Sequence, residues 1–206
     1  MTPTANTRQI VLASASRARR EILAAAGIAF TVDPANVDEP ALRADLLKRN
    51  PGASPVAVAE MLARAKAEDV STRHAGAMVI GADQVLAFKD EVLSKPSDLD
   101  EARKALERLR GHTHELHAAV AFAEEGKVVW THTASASLTM REFSDSFLND
   151  YLVRVGDRAC QSVGAYELES VGVQLFERIE GDYFTILGLP LLPVLKELRA
   201  RGVIEQ

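Results

Sequence analysis

The chain alternates short apolar runs with segments of helical spacing. Residues 10–13, Ile-Val-Leu-Ala, are an unbroken apolar run of the kind a buried strand shows. Residues 17–26 follow with Ile22, Leu23 and Ala26 on one helical face and Gly27 at the end. Residues 28–32 read as a second strand. Residues 41–49 are helical in pattern and are broken by Asn50-Pro51-Gly52. Ser54-Pro55 supplies an N-cap and a first-turn proline for a helix reaching to about Val70, with Val58, Met61, Leu62 and Ala65 inward. Residues 98–110 form an amphipathic helix on Ala102, Ala105, Leu106 and Leu109. Residues 113–122 and 127–139 read as an antiparallel strand pair turned at Glu124-Glu125-Gly126. A helix over 143–155 with Ser144 as cap, a strand over 173–179 and a last helix over 191–201 complete the pattern. Strands interleaved with helices, plus an antiparallel pair, predict an α/β (α+β mixed) fold with a mixed sheet. No repeat, low-complexity stretch or linker divides residues 1–206, which read as a single domain.

The pattern is broken most sharply at residues 79–96. The apolar run Met78-Val79-Ile80 meets Gly81-Ala82 and a lone acid, Asp83, before apolar residues resume at Val85. A carboxylate inside a strand-like segment requires a cation, a proton or a metal beside it. Lys89-Asp90-Glu91 then gives a polar hairpin turn. The returning arm ends at Ser94-Lys95-Pro96 and is expected to bring Lys95 back towards Asp83.

Other segments offer further chemistry. Ser14-Ala15-Ser16 joins the first strand to a helix whose first turn carries Arg17, Arg19 and Arg20, cations that oppose the helix dipole. They read as a solvated basic face or as an anion site of backbone N–H groups, two hydroxyls and an arginine; the strand–turn–helix geometry favours the second. Asp38-Glu39 either ligates a divalent metal or caps the next helix. Lys66, one turn beyond Leu62, reads by itself as a solvated lysine. His112, His114 and His117 lack metal spacing and read as strand-surface or turn residues.

Composition narrows the classes. The chain has 206 residues, 47% hydrophobic and 26% charged, ordinary for a globular enzyme. A net charge of −5 argues against a nucleic-acid polymer as partner, so an anionic substrate needs a local cationic cluster. A single cysteine, Cys160, excludes an internal disulfide and suggests a reducing cytoplasm and a structural thiol. The polar N-terminal stretch before Ile10 carries neither a signal peptide nor a membrane-spanning pattern.

The motifs LASAS with its following arginines, VDE, LARAKA, IGADQV, SKP and GDYFTILGLPL occur in one order along nearly the whole chain. Together they resemble the Maf family of nucleoside triphosphate pyrophosphatases. The resemblance implies an elongated mixed sheet with flanking helices and a deep groove between two lobes. It also implies a homodimer, a divalent cation (Mg²⁺, Mn²⁺ or Co²⁺) and hydrolysis of a nucleoside triphosphate to monophosphate and pyrophosphate. By the same resemblance Asp83 is the proton acceptor, Lys66 and Lys95 join it in catalysis, and Asp38, Glu39 and Asp83 hold the metal. Ser14, Ser16 and Arg19 fall on the phosphate loop. The family pattern Ser-Pro-Arg-Arg is here Ser16-Arg17-Ala18-Arg19, so Ala18 stands at a position tied to base selection.

Base choice follows from Gln84 and Glu169, which resemble the branch acting on 7-methyl-GTP. Guanine offers N1–H and N2–H₂ donors that a carboxylate accepts, and methylation at N7 adds positive charge. Taken alone, Glu169 reads as a solvated loop acid. Two other readings stand beside this one: the same reaction on dTTP, UTP or a broader set, and a nucleotide-binding regulator of septum formation acting through protein contacts.

Overall fold

The structure, a computed structural model, describes residues 8–89 and 91–205. The polar stretch before Arg8 and the middle residue of the expected Lys89-Asp90-Glu91 turn lie outside the described residues. The strands are β1 (Ile10–Leu12), β2 (Thr31–Val32), β3 (Met78–Phe88), β4 (Glu91–Leu93), β5 (Thr113–Glu124), β6 (Lys127–Met140) and β7 (Phe176–Glu180). The helices are α1 (Arg17–Ala25), α2 (Glu39–Arg49), α3 (Pro55–Ser71), α4 (Leu99–Leu109), α5 (Asp145–Val155), α6 (Tyr183–Ile186) and α7 (Leu191–Ala200). All seven strands join one mixed sheet in the order β2-β1-β3-β5-β6-β7, with β4 paired to β3. The expected mixed α/β fold is thus present. No helix among the described residues is long and apolar enough to cross a membrane.

The chain folds as two compact units. The first holds the residues up to Asp83 with Ala118–Thr133 and the residues from Gly188 onward; the second holds Gln84–His117 and Ala134–Leu187. In the first unit β1 lies between β2 and β3 and is parallel to both, with Val11 opposite Thr31 and Val79. Parallel neighbours need crossovers, and α1 makes the one from β1 to β2, α2 and α3 the one from β2 to β3. Val11, Ala13, Val70, Ala77 and Val79 form a buried cluster here, four of them on residues flanking or within β1 and β3. In the second unit β3 turns back into β4, with Phe88 opposite Glu91, and β6 pairs antiparallel with β7. Its larger core gathers Leu106 and Leu109 of α4, Leu148 and Leu152 of α5, and Leu138 and Met140 of β6.

Helix starts follow the sequence closely. Ser16, Ser54 and Ser144 each accept from the backbone N–H three residues on, as N-caps do.

Several expectations need correction. Of residues 28–32 only Thr31 and Val32 pair, as a short, exposed edge strand. The stretch 173–179 is not one strand. Ser170 N–H and Oγ both donate to the Glu167 carbonyl, and Val173 N–H donates to Ser170, which curls Val171–Leu175 into a 3₁₀ turn before β7 begins at Phe176. His114 and His117 are not surface residues; they are 2% and 7% exposed, because β5 is buried along most of its length. On α3 Val58 and Leu62 are buried as expected, but Ala59, Ala63, Ala67 and Val70 complete the stripe in place of Met61 and Ala65, which are half-buried.

Candidate functional site

The rotated stripe on α3 has a specific cause, and it builds the site. Gly81 of β3 faces α3 so closely that a Cβ there would lie 2.3 Å from the Ala63 carbonyl oxygen and 2.8 Å from the Ala67 methyl. Ala63 and Ala67, one turn apart, are the small residues that admit the strand. Residues i and i+2 of a strand share a face, so Asp83 points the same way as Gly81. Lys66, beside Ala67 on α3, meets it: Nζ donates to Asp83 Oδ1 at 2.6 Å. The same ammonium reaches Glu39 Oε1, in the first turn of α2, at 2.8 Å. Lys66 is therefore not a solvated lysine; its side chain retains 12% exposure.

Arg19 approaches from α1. Its guanidinium is buried, and its donors go to three oxygens of the same unit. Nε donates to Gly188 O at 2.8 Å, and Nη1 donates to Ala82 O at 2.9 Å and to Ser14 Oγ at 3.0 Å. The Ser14 hydroxyl also accepts the Ser16 N–H, and Ser16 caps α1 through the Arg19 N–H. The serine-rich turn, the arginine and the peptide before Asp83 are thus one hydrogen-bonded assembly. Gly188 has φ +90°, and a Cβ there would stand 3.2 Å from Arg19 Nε. The Gly188 and Ala82 carbonyls were not legible as partners in the sequence; the Gly-Leu-Pro punctuation was the only hint.

Electrostatics follow from this burial. Asp83 is 6% exposed, and burial pushes its carboxyl above the usual carboxylate range, against the pull of Lys66 and then of Arg19. Burial likewise lowers Arg19 from its ordinary value, opposed by Asp83 and Glu39. A buried carboxyl with raised proton affinity beside fixed cations is a candidate for proton transfer.

The remaining expected residues are placed as follows. Asp38 caps α2, with Oδ1 accepting Ala41 N–H at 3.0 Å. Ala18 is half-buried in the first turn of α1. In the second unit Lys95 is exposed just beyond β4, and Glu169 is exposed in the turn ahead of Val171–Leu175. Gln84 begins that unit, and its Nε2 donates to Thr185 O at 2.9 Å and Ile186 O at 3.0 Å. Among the described residues no three His, Cys, Asp or Glu side chains gather in a metal-binding group. Asp83 and Glu39 nevertheless converge on one ammonium, so two carboxylates stand around a single cation. Mg²⁺ is commonly held by one or two carboxylates with the rest supplied by water and substrate phosphate.

Fold and cluster together define an α/β protein with a buried carboxyl paired to an ammonium, next to a peptide held by a buried guanidinium. The chain belongs to the Maf-like protein family, which matches residues 9–201. It is 52% identical over 199 residues to the 7-methyl-GTP pyrophosphatase of Rhizobium johnstonii, covering 97% of this chain and 99% of that protein. It is 50% identical over 192 residues to the nucleoside triphosphate pyrophosphatase of Paramagnetospirillum magneticum, covering 93% and 98%. A third relative, the nucleoside triphosphate pyrophosphatase of Caulobacter vibrioides, is 50% identical over 195 residues, covering 95% and 96%.

Proposed function

We propose that this protein is a nucleoside triphosphate pyrophosphatase that removes a modified nucleotide, 7-methyl-GTP, from the nucleotide pool. The observation that carries the reading is the buried Asp83 carboxyl held 2.6 Å from Lys66, with Arg19 fixing the preceding carbonyl. The relatives' names point the same way.

In this reading water attacks the α-phosphorus. Asp83 takes the proton as the water oxygen bonds to phosphorus, the α–β anhydride oxygen leaves with its electron pair, and the products are monophosphate and pyrophosphate. Lys66 and Lys95 offset the negative charge of the phosphates, and the Ser14–Ser16 turn with the α1 N-terminus provides N–H groups for phosphate oxygens. Asp83 and Glu39, with Asp38 beside Glu39 in sequence, would hold a divalent cation (Mg²⁺, Mn²⁺ or Co²⁺), which would supply charge neutralisation at the phosphates. Glu169 selects the base, accepting the N1–H and N2–H₂ donors of guanine and favouring the positive charge of the 7-methyl form; a pyrimidine O4 meets repulsion there. Ala18 stands at another position tied to base selection, with no long side chain to offer there. The reading carries with it a cytoplasmic homodimer, which light scattering of the purified protein checks.

The decisive experiment is turnover of a panel of triphosphates with Mg²⁺, Mn²⁺ or Co²⁺, with products resolved. Pyrophosphate and monophosphate, with 7-methyl-GTP preferred over UTP and dTTP, are expected. Release of the γ-phosphate as inorganic phosphate contradicts the reaction, and equal turnover of 7-methyl-GTP and UTP contradicts the base assignment.

A further inference from the structure

Within the second unit, buried polar side chains converge on the segment that carries Glu169. Tyr166 is buried, and its hydroxyl lies 2.7 Å from His114 Nε2. Its ring meets Phe176 edge-on, with centroids 4.8 Å apart. Tyr151, also buried, donates its hydroxyl proton to the Ala165 carbonyl at 3.0 Å. Ser162 Oγ donates to the Tyr166 carbonyl at 2.6 Å. Residues 165 and 166 are therefore held through both main chain and side chain.

That hold is costly in two ways. Ala165 has φ +62°, a left-handed conformation that a residue with a Cβ adopts only against strain. His114 leaves Nδ1 buried without a partner, a penalty that an apolar side chain would not carry. Both costs fall at the same point of the chain, and from there the chain runs outward. The Glu167 carbonyl accepts the Ser170 N–H at 3.2 Å, which closes a four-residue turn with Glu169 as its third member. Leu168 is buried and Glu169 exposed. Gly172 shuts the turn from beyond, since a Cβ there would lie 2.4 Å from the same Glu167 oxygen. The place of Glu169 is thus set by the peptide directly after Tyr166.

We propose that Tyr166 is a positioning residue for Glu169, anchored by His114 and Tyr151, and through it a determinant of base selection. This rests on the reading that Glu169 accepts the guanine donors. Hydrogen bonds weaken steeply with distance and angle, so a carboxylate that wanders accepts those donors poorly and repels a pyrimidine O4 less. Apolar packing alone admits several arrangements of a loop, whereas a satisfied directional bond in a buried site selects one. The Tyr166 hydroxyl supplies that bond.

Two measurements test this. The first is the ratio of kcat/KM on 7-methyl-GTP to that on UTP. It is taken for the wild type, Tyr166→Phe, His114→Leu, His114→Gln, Glu169→Gln and the double variant Tyr166→Phe/Glu169→Gln. The second is backbone hydrogen exchange over residues 165–172 in the same proteins. Tyr166→Phe keeps the ring against Phe176 and removes only the hydroxyl. It is expected to narrow the ratio about tenfold, and His114→Leu to do the same. His114→Gln, whose amide still reaches the hydroxyl, restores the ratio. The double variant falls no further than Glu169→Gln alone, because the tyrosine acts through the acid. Exchange over residues 165–172 accelerates in Tyr166→Phe and His114→Leu and stays slow in His114→Gln.

A ratio lowered by Glu169→Gln but untouched by Tyr166→Phe overturns the proposal and leaves the base assignment standing. A ratio untouched by Glu169→Gln removes the base assignment, and the proposal with it. A further fall in the double variant shows that Tyr166 acts otherwise than through Glu169 and also overturns the proposal. So does unchanged exchange over residues 165–172 in Tyr166→Phe.

Discussion

The Lys66 ammonium stands 2.6 Å from Asp83 and 2.8 Å from Glu39, so one cation serves two carboxylates of different exposure. Asp83 is nearly sealed; the Glu39 side chain is 48% exposed. Attraction is weakly screened in the first pair and well screened in the second. Lys66 is also the strongest counterweight to the burial that raises the Asp83 carboxyl. In Lys66→Met the carboxyl therefore rises further. The acid limb of the kcat/KM profile against pH moves to higher pH, and activity at neutral pH falls by about a hundredfold. An unmoved limb argues that Asp83 is not the titrating base.

Gly81→Ala tests the close approach of β3 to α3. The new methyl would meet the Ala63 carbonyl, a backbone atom that moves only if the helix moves. Overpacking of this kind destabilises by about 1–3 kcal/mol. The displaced helix also draws Lys66 away from Asp83, so activity falls more than stability. Urea melts and kcat on the same sample check both, and a variant with full activity and a normal melt contradicts the packing account.

Arg19→Lys separates charge from geometry. A lysine keeps the positive charge but presents a point charge where the planar fork now serves Ser14, Ala82 and Gly188. Two of those acceptors are backbone carbonyls, and leaving a buried one unpaired costs about 1–3 kcal/mol. The variant is expected to melt earlier by roughly that amount and to lose most of its kcat. Retention of both by Arg19→Lys argues for a purely electrostatic role.

His114 makes the fold acid-sensitive in the second unit. Burial lowers its pKa from 6.5 to about 4, Nε2 lies 2.7 Å from the Tyr166 hydroxyl, and Nδ1 has no partner. Between those two values the unfolded chain binds a proton that the folded one refuses. Stability therefore falls as pH drops from about 6.5 to about 4, by on the order of 3 kcal/mol, and no further below that. His114→Gln retains a donor for Tyr166 but does not titrate. Denaturant midpoints at pH 7 and pH 4.5 are expected to differ less in the variant than in the wild type; an equal difference assigns the acid loss to other groups.

Much of this arrangement was legible as pattern. A lone carboxylate between Gly81-Ala82 and Val85 announced a buried charge with a partner, and helix caps at Ser16, Ser54 and Ser144 announced their helices. The partner's identity was not announced. Helical periodicity on α3 put Val58, Met61, Leu62 and Ala65 inward, and only contact with a glycine on a strand distant in sequence shows Ala63 and Ala67 buried in place of Met61 and Ala65. The same limit hid the Arg19 contacts, because main-chain oxygens carry no signature in a sequence. His114 and His117 were misplaced because an isolated histidine looks alike on a wet strand and on a dry one.

The alternation along β3 makes this region sensitive to parity. Inserting a single amino acid between Gly81 and Asp83 leaves the composition almost intact yet exchanges the destinations of two side chains: the acid turns away from α3, and the amide turns away from α6. Inserting two restores the facing but lengthens the reach to Lys66. The spacing from Gly81 to Gln84 is therefore constrained in a way that the lengths of surface loops are not.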